Sequence, residues 1–224
     1  MIAAEPGAVV VTGAPRRAVG ALRALVHHRH AVPSTARERY MFHTRGSTLR
    51  STMEYLGHVV SDRQRDAILA RLSPDEREIV EHVGLTDDVP YSVALSLWRS
   101  ADKALADTDP TWAETAGAES IRVRGMQLYS GLIQKPTPME FLAQHISLFQ
   151  RYYRPGDMKV TERTPGRATA RLVGFEPGDA LFCRRLTGGW RAVIEIAGGH
   201  APEVTHPRCV MEGDPFCEWE VRWR

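Results

Sequence analysis

Lysine is scarce in this chain: only Lys103, Lys135 and Lys159 stand against 26 arginines. The bias runs along the whole sequence and reads as genome composition, although guanidinium groups do suit phosphates and carboxylates. Net charge is also scarce, +2 over 224 residues, which argues against nucleic acid as the main partner. No apolar run approaches the ~20 residues that span a bilayer. The first 25 residues lack the apolar core and small-residue cleavage site of a signal peptide, so a reducing, cytoplasmic location is expected. Gly-x-Ser-x-Gly, His-Glu-x-x-His and a carboxylate pair in a recognisable setting are all missing, so no catalytic residue is assigned and an enzyme is not expected.

Cysteine is rare as well, and its placement is informative. All three, Cys183, Cys209 and Cys217, lie near the C-terminal end, and His206 precedes Cys209 by three positions. Three thiolates and one imidazole make a tetrahedral set for zinc with no position left for water. Gly213-Asp214-Pro215 lies between Cys209 and Cys217 and would bring two antiparallel strand ends together, while Cys183 comes from an earlier segment. Two plainer readings stay open. One counts the cysteines as small buried hydrophobes; the other pairs Cys209 with Cys217 as a disulfide, which a reducing location disfavours and which leaves one cysteine over.

Charge is unevenly spread. Residues 1–46 hold seven Arg and two Glu, net +5, leaving −3 for the other 178. This basic extension also carries His27, His28, His30 and His43, an expected strand at Val9–Val11 and an amphipathic helix over Arg16–His30. It lacks the Gly-Lys-Ser/Thr ending of a phosphate loop. Beyond Gly46 the period becomes helical. Leu49, Met53, Leu56 and Val60 share one face, and Ser61-x-x-Gln64 and Ser73-Pro-x-Glu76 are capping boxes that start helices near 62 and 74. Further helices are expected over Tyr91–Ala106, Trp112–Leu132 and Met139–Tyr153, the last with Leu142, Ala143, Ile146, Phe149 and Tyr153 inward. From Met158 the period is two: a hairpin about Pro165-Gly166, a short helix over Gly189–Ala197, and a hairpin of Glu203–Val210 with Cys217–Trp223. The fold class is therefore α+β, an N-terminal helical half packed on a small antiparallel sheet with an inserted helix.

The C-terminal run, a Gly–Trp helix, a strand ending in Cys, a Gly-Asp-Pro turn and a Cys opening a Trp-rich last strand, resembles the 4-vinyl reductase domain. That domain belongs to the ligand-binding superfamily that includes haem nitric-oxide sensors and Golgi-transport tethering subunits. The resemblance is good over 155–224 and extends by element order to 47, giving a 4-vinyl-reductase-like domain at 47–224. His206-x-x-Cys209-x7-Cys217, with Cys183 upstream, matches the Cys and Glu-x-x-Cys-x7-Cys zinc ligands of the phenol sensors, with His in place of Glu. The resemblance implies a structural zinc, an apolar pocket and a non-catalytic sensory module, a homodimer that signals through a partner protein. Neither the phenol-binding nor the haem-holding residues of those relatives can be matched. Trp98, Phe149, Tyr153, Phe175 and Trp190 are the candidate lining of a pocket for a small apolar or aromatic ligand. The alternative is a protein–protein adaptor of the tethering-subunit type.

Overall fold

The computed structural model describes residues 42–224, except for the side chains of 144–147. The chain divides at Pro33/Ser34, and every described residue belongs to the second unit. The strand expected at Val9–Val11 and the helix at Arg16–His30 lie outside the described residues, as does the inward position of Ile146.

Strand β1 (His43–Arg45) is the middle of a three-stranded antiparallel sheet, between β2 (Asp88–Pro90) and β3 (Tyr153–Arg154). Helix α1 (Gly46–Val59) follows directly. It buries Leu49 and Leu56 as expected, but also a polar stripe of Ser47, Thr48, Ser51 and Thr52. Most of that stripe is tolerated because its hydroxyls are paired. Thr52 Oγ1 donates to the Thr48 carbonyl at 2.8 Å and accepts from Trp98 Nε1 at 3.2 Å, and Ser51 Oγ donates to Ser120 Oγ at 2.9 Å. Helices α2 (Asp62–Leu69) and α3 (Pro74–His82) both begin with the complete capping boxes read in the sequence. Helix α4 (Tyr91–Leu105) buries Ala94, Trp98, Ala101 and Leu105 on one face.

The single helix expected over Trp112–Leu132 is three pieces: α5 (Trp112–Ser120), a π-helical stretch (Ile121–Gly125) and α6 (Met126–Ile133). The wider turn changes the phase of the helix, so the inward face of α5 does not continue into α6. Helix α7 (Pro138–Tyr152) leads into β3; Leu142 and Phe149 face inward, whereas Ala143 is exposed. The second sheet is antiparallel throughout, in the order β4 (Asp157–Thr164), β5 (Arg167–Val173), β7 (Glu218–Arg222), β6 (Glu203–Arg208). Gly166, at φ 77°, makes the β4–β5 turn.

Helix α8 (Ala180–Ile196), expected only from Gly189, starts nine residues earlier at an Asp179 cap whose side chain accepts the Leu181 N–H. Gly188 and Gly189 lie inside it because α5 crosses there. A Cβ on Gly188 would lie 1.8 Å from the Glu114 carbonyl oxygen, and one on Gly117 would lie 2.0 Å from that of Arg185. Glycine allows the two backbones to touch, and this crossing positions both features described next.

Candidate functional site

Cys183 lies in the first turns of α8, His206 on β6, Cys209 just after β6, and Cys217 just before β7. The β6–β7 register shifts between Thr205 and Arg208, a bulge that re-aims the intervening His206. Its ring stacks on Trp219 at 4.4 Å and 17°, and its Nε2 is buried without a conventional hydrogen-bond partner. Cys183 Sγ is 3.9 Å from Cys209 Sγ and 3.7 Å from Cys217 Sγ, and the four donor atoms lie within 4.8 Å of one another. After Cys209 the chain turns tightly: its N–H donates to Asp214 Oδ2 at 2.8 Å, and its carbonyl accepts from Glu212 and Asp214 N–H. The Cys183 thiol hydrogen bond, then His206 and the Val210 N–H, pull Cys217 down to about 4 against its burial. Bonding to Cys217, burial and the neighbouring sulfurs push Cys183 far up. Burial foremost raises Cys209. The cluster is thus a set of three sulfurs and one imidazole whose donor atoms converge, suited to a soft cation.

A second feature lies at the other side of the helix crossing. Between α5, the π-helical stretch, α7 and α8 is a cavity of about 60 Å³. Its apolar wall includes Ile121, Leu148, Phe149 and Val193; Tyr152, Tyr153, Trp190 and Arg185 complete it. Of the five expected pocket residues, Phe149, Tyr153 and Trp190 line this space. Trp98 and Phe175 do not. Phe175 instead packs edge-on against Phe42, Tyr91, Tyr153 and Phe149 and stacks on Phe182, in a filled aromatic cluster. The cavity lies between helices and not against the sheet, where Ala168 and Ala170 are fully buried.

Arg185 was not among the expected site residues. It is 5 % exposed, its Nη1 has no hydrogen-bond partner, and its guanidinium carbon stands 4.7 Å above the Trp98 ring. Burial pushes it down to about 10, opposed by the hydroxyls of Tyr153, Tyr91 and Tyr55. The sequence held a signal for it. Arg185 follows Leu181 by four and Phe182 by three, on the inward face of the helix, but in an Arg184-Arg185 pair it reads as surface.

No protein-family profile and no curated protein matches the sequence. Solved structures do. An H-NOX protein from K. algicida with unliganded Fe(II) is 14% identical, over 80% of this chain and 96% of that one, at TM-score 0.62. An H-NOX protein from S. oneidensis in the Fe(II)NO state is 12% identical over 80% and 99%, at TM-score 0.60. A variant H-NOX domain from Shewanella oneidensis in the Fe(II)CO state is 10% identical over 80% and 98%, at TM-score 0.60. The chain therefore has the α+β fold of H-NOX domains.

The expectation of zinc as the cofactor is corrected by these neighbours: the metal their names give is iron, as Fe(II), and not zinc. A haem iron does not fit the described residues of this chain. The cavity of about 60 Å³ is less than half the ~150 Å³ that admits a benzene, and no His, Cys or Met is in its lining. His145 lies on α7 within the stretch whose side chains are outside the description.

Proposed function

We propose that this chain is a non-catalytic ligand-binding module of the 4-vinyl-reductase type, working in the cytoplasm as a homodimer and signalling through a partner protein. The observation that carries the reading is the mostly apolar cavity between α5, α7 and α8, with the buried cation Arg185 in its wall. Pockets that bind small molecules have this composition, apolar walls with few placed polar groups. The π-helical stretch supports it, since such interruptions are frequent at functional sites. The H-NOX fold adds precedent, because the neighbours' names record NO and CO as ligands.

In the same reading, Cys183, His206, Cys209 and Cys217 are a closed four-donor metal site that fastens α8 to the β6–β7 hairpin. Its role is structural, since four protein donors leave no coordination position for a substrate. Elemental analysis of protein purified without chelator checks it. One metal ion per chain is expected, and three freely titratable thiols in the folded, metal-free protein would remove the idea.

The ligand reading is tested by native mass spectrometry of the purified chain and by its melting temperature across small apolar probes. A bound small molecule, or a saturable rise in melting temperature, is expected. With neither, the adaptor reading takes its place. Haem added to the purified chain is expected to give no saturable Soret band; a stoichiometric one would overturn the fit test made above.

A further inference from the structure

Arg185 presents a problem of free energy that the fold does not solve. A guanidinium carries five donors and a charge that burial penalises heavily unless both are answered. Among the described residues no carboxylate pairs with Arg185, and its Nη1 meets no acceptor. Its guanidinium stands over the face of Trp98 at 4.7 Å. Arg184 beside it has ordinary surface partners, donating to the Pro110 carbonyl and facing Asp102. The unpaired state belongs to the inward arginine, which lines the cavity.

A second polar group in the same wall is also unanswered. The Tyr152 hydroxyl is buried with no hydrogen-bond partner, and its residue is 6 % exposed. Arg185 Nη1 and the Tyr152 O–H are thus buried donors without acceptors, on two residues that line one mostly apolar cavity, and such donors suit an oxyanion. Because Arg185 is the one cation among the described residues that line the space, a monoanion neutralises it, whereas a phosphate dianion would leave a buried excess charge. Ile121, Leu148, Phe149 and Val193 exclude a strongly hydrated ion and favour an attached hydrocarbon. The volume of about 60 Å³ limits that hydrocarbon to about one or two carbons.

We infer that the cavity binds a short-chain aliphatic monocarboxylate, its carboxylate on Arg185 and Tyr152 and its alkyl chain against Ile121, Leu148, Phe149 and Val193. This rests on the ligand-binding reading above and specifies its ligand class.

The test uses the full chain in carboxylate-free buffer, with acetate and its neutral counterpart acetamide as probes. Acetate raises the melting temperature in a saturable way, and acetamide acts about tenfold more weakly. Arg185→Met removes the unpaired charge, so the variant melts at or above the parent temperature without probe and no longer responds to acetate. Tyr152→Phe keeps the packing and weakens the acetate response, giving a readout should the arginine variant fail to fold. Equal responses to acetate and acetamide, or a full acetate response in Arg185→Met, overturn the carboxylate inference and leave the broader ligand reading standing. Silence toward acetate, acetamide and the neutral apolar probes alike overturns both.

Discussion

At the scale of single residues, side chains fasten α8 to the second sheet independently of any metal. Trp219 Nε1 donates to Thr187 Oγ1 at 3.1 Å, and that hydroxyl donates to the Cys183 carbonyl at 3.0 Å. Trp219 is fully buried and Thr187 nearly so. Thr187→Val keeps the shape and strands the indole N–H, so a loss of about 1–3 kcal/mol is expected in chemical denaturation. An unchanged midpoint would mean that the indole finds another acceptor. Glu76 gives a pH-dependent case. Burial raises its pKa, but hydrogen bonds from Ser96 (2.6 Å) and from Ser73 outweigh this and hold it below the ordinary value. A carboxylate depressed in the fold contributes stability that is present above its unfolded pKa and lost as pH falls through the folded one. Ser96→Ala should therefore melt lower than the parent at neutral pH, and the gap should close below about pH 4, in the range of a free glutamate. A gap that stays constant down to pH 3 would assign the loss to packing.

At the scale of elements, the outcome depends on how local each signal is. The capping boxes at Ser61 and Ser73 were legible because every group they use lies within four residues. So was β7, where Cys217, Trp219 and Val221 alternate into the core. Helix α8 was misjudged because Gly188-Gly189 looks like a helix start in sequence, and its actual reason lies some seventy residues earlier in α5. The polar stripe of α1 was missed for the same cause: its partners, Trp98 and Ser120, are remote. Of the candidate site, the Cys/His set was visible as spacing, while the cavity was not, since it follows from a helix crossing and a π-helical phase shift. The crossing yields a paired prediction. Gly188→Ala puts a methyl group 1.8 Å from a backbone carbonyl, where no side chain can yield, and should cost at least about 1–3 kcal/mol as α5 and α8 separate. Gly131→Ala, at an exposed position of α6 with nothing within 4 Å of its new Cβ, should instead stabilise by about 0.5–1 kcal/mol. Equal effects at both sites would contradict the backbone contact.

At the scale of the molecule, the domain boundary depends on strand pairing, which the charge step at Gly46 does not report. β1 lies before that step, yet it is the middle strand of its sheet, with His43 opposite Pro90 on one side and Arg154 on the other. Thr44 adds two hydrogen bonds, to Thr48 Oγ1 and to the Tyr152 carbonyl, both at 3.0 Å. Arg45 reaches the Thr86 carbonyl at 2.8 Å and Asp88 at 3.0 Å. A chain cut after Gly46 loses all of these and leaves β2 and β3 without the strand that joins them, next to the aromatic cluster around Tyr153. A chain cut after Pro33 keeps them, together with the whole described core from Leu49 to Val221. Residues 34–224 are therefore expected to unfold cooperatively, within a few degrees of the full chain by circular dichroism, and residues 47–224 to give a broad transition or insoluble protein. If 47–224 melts as sharply as 34–224, the three-stranded sheet is dispensable and the boundary belongs where the charge changes.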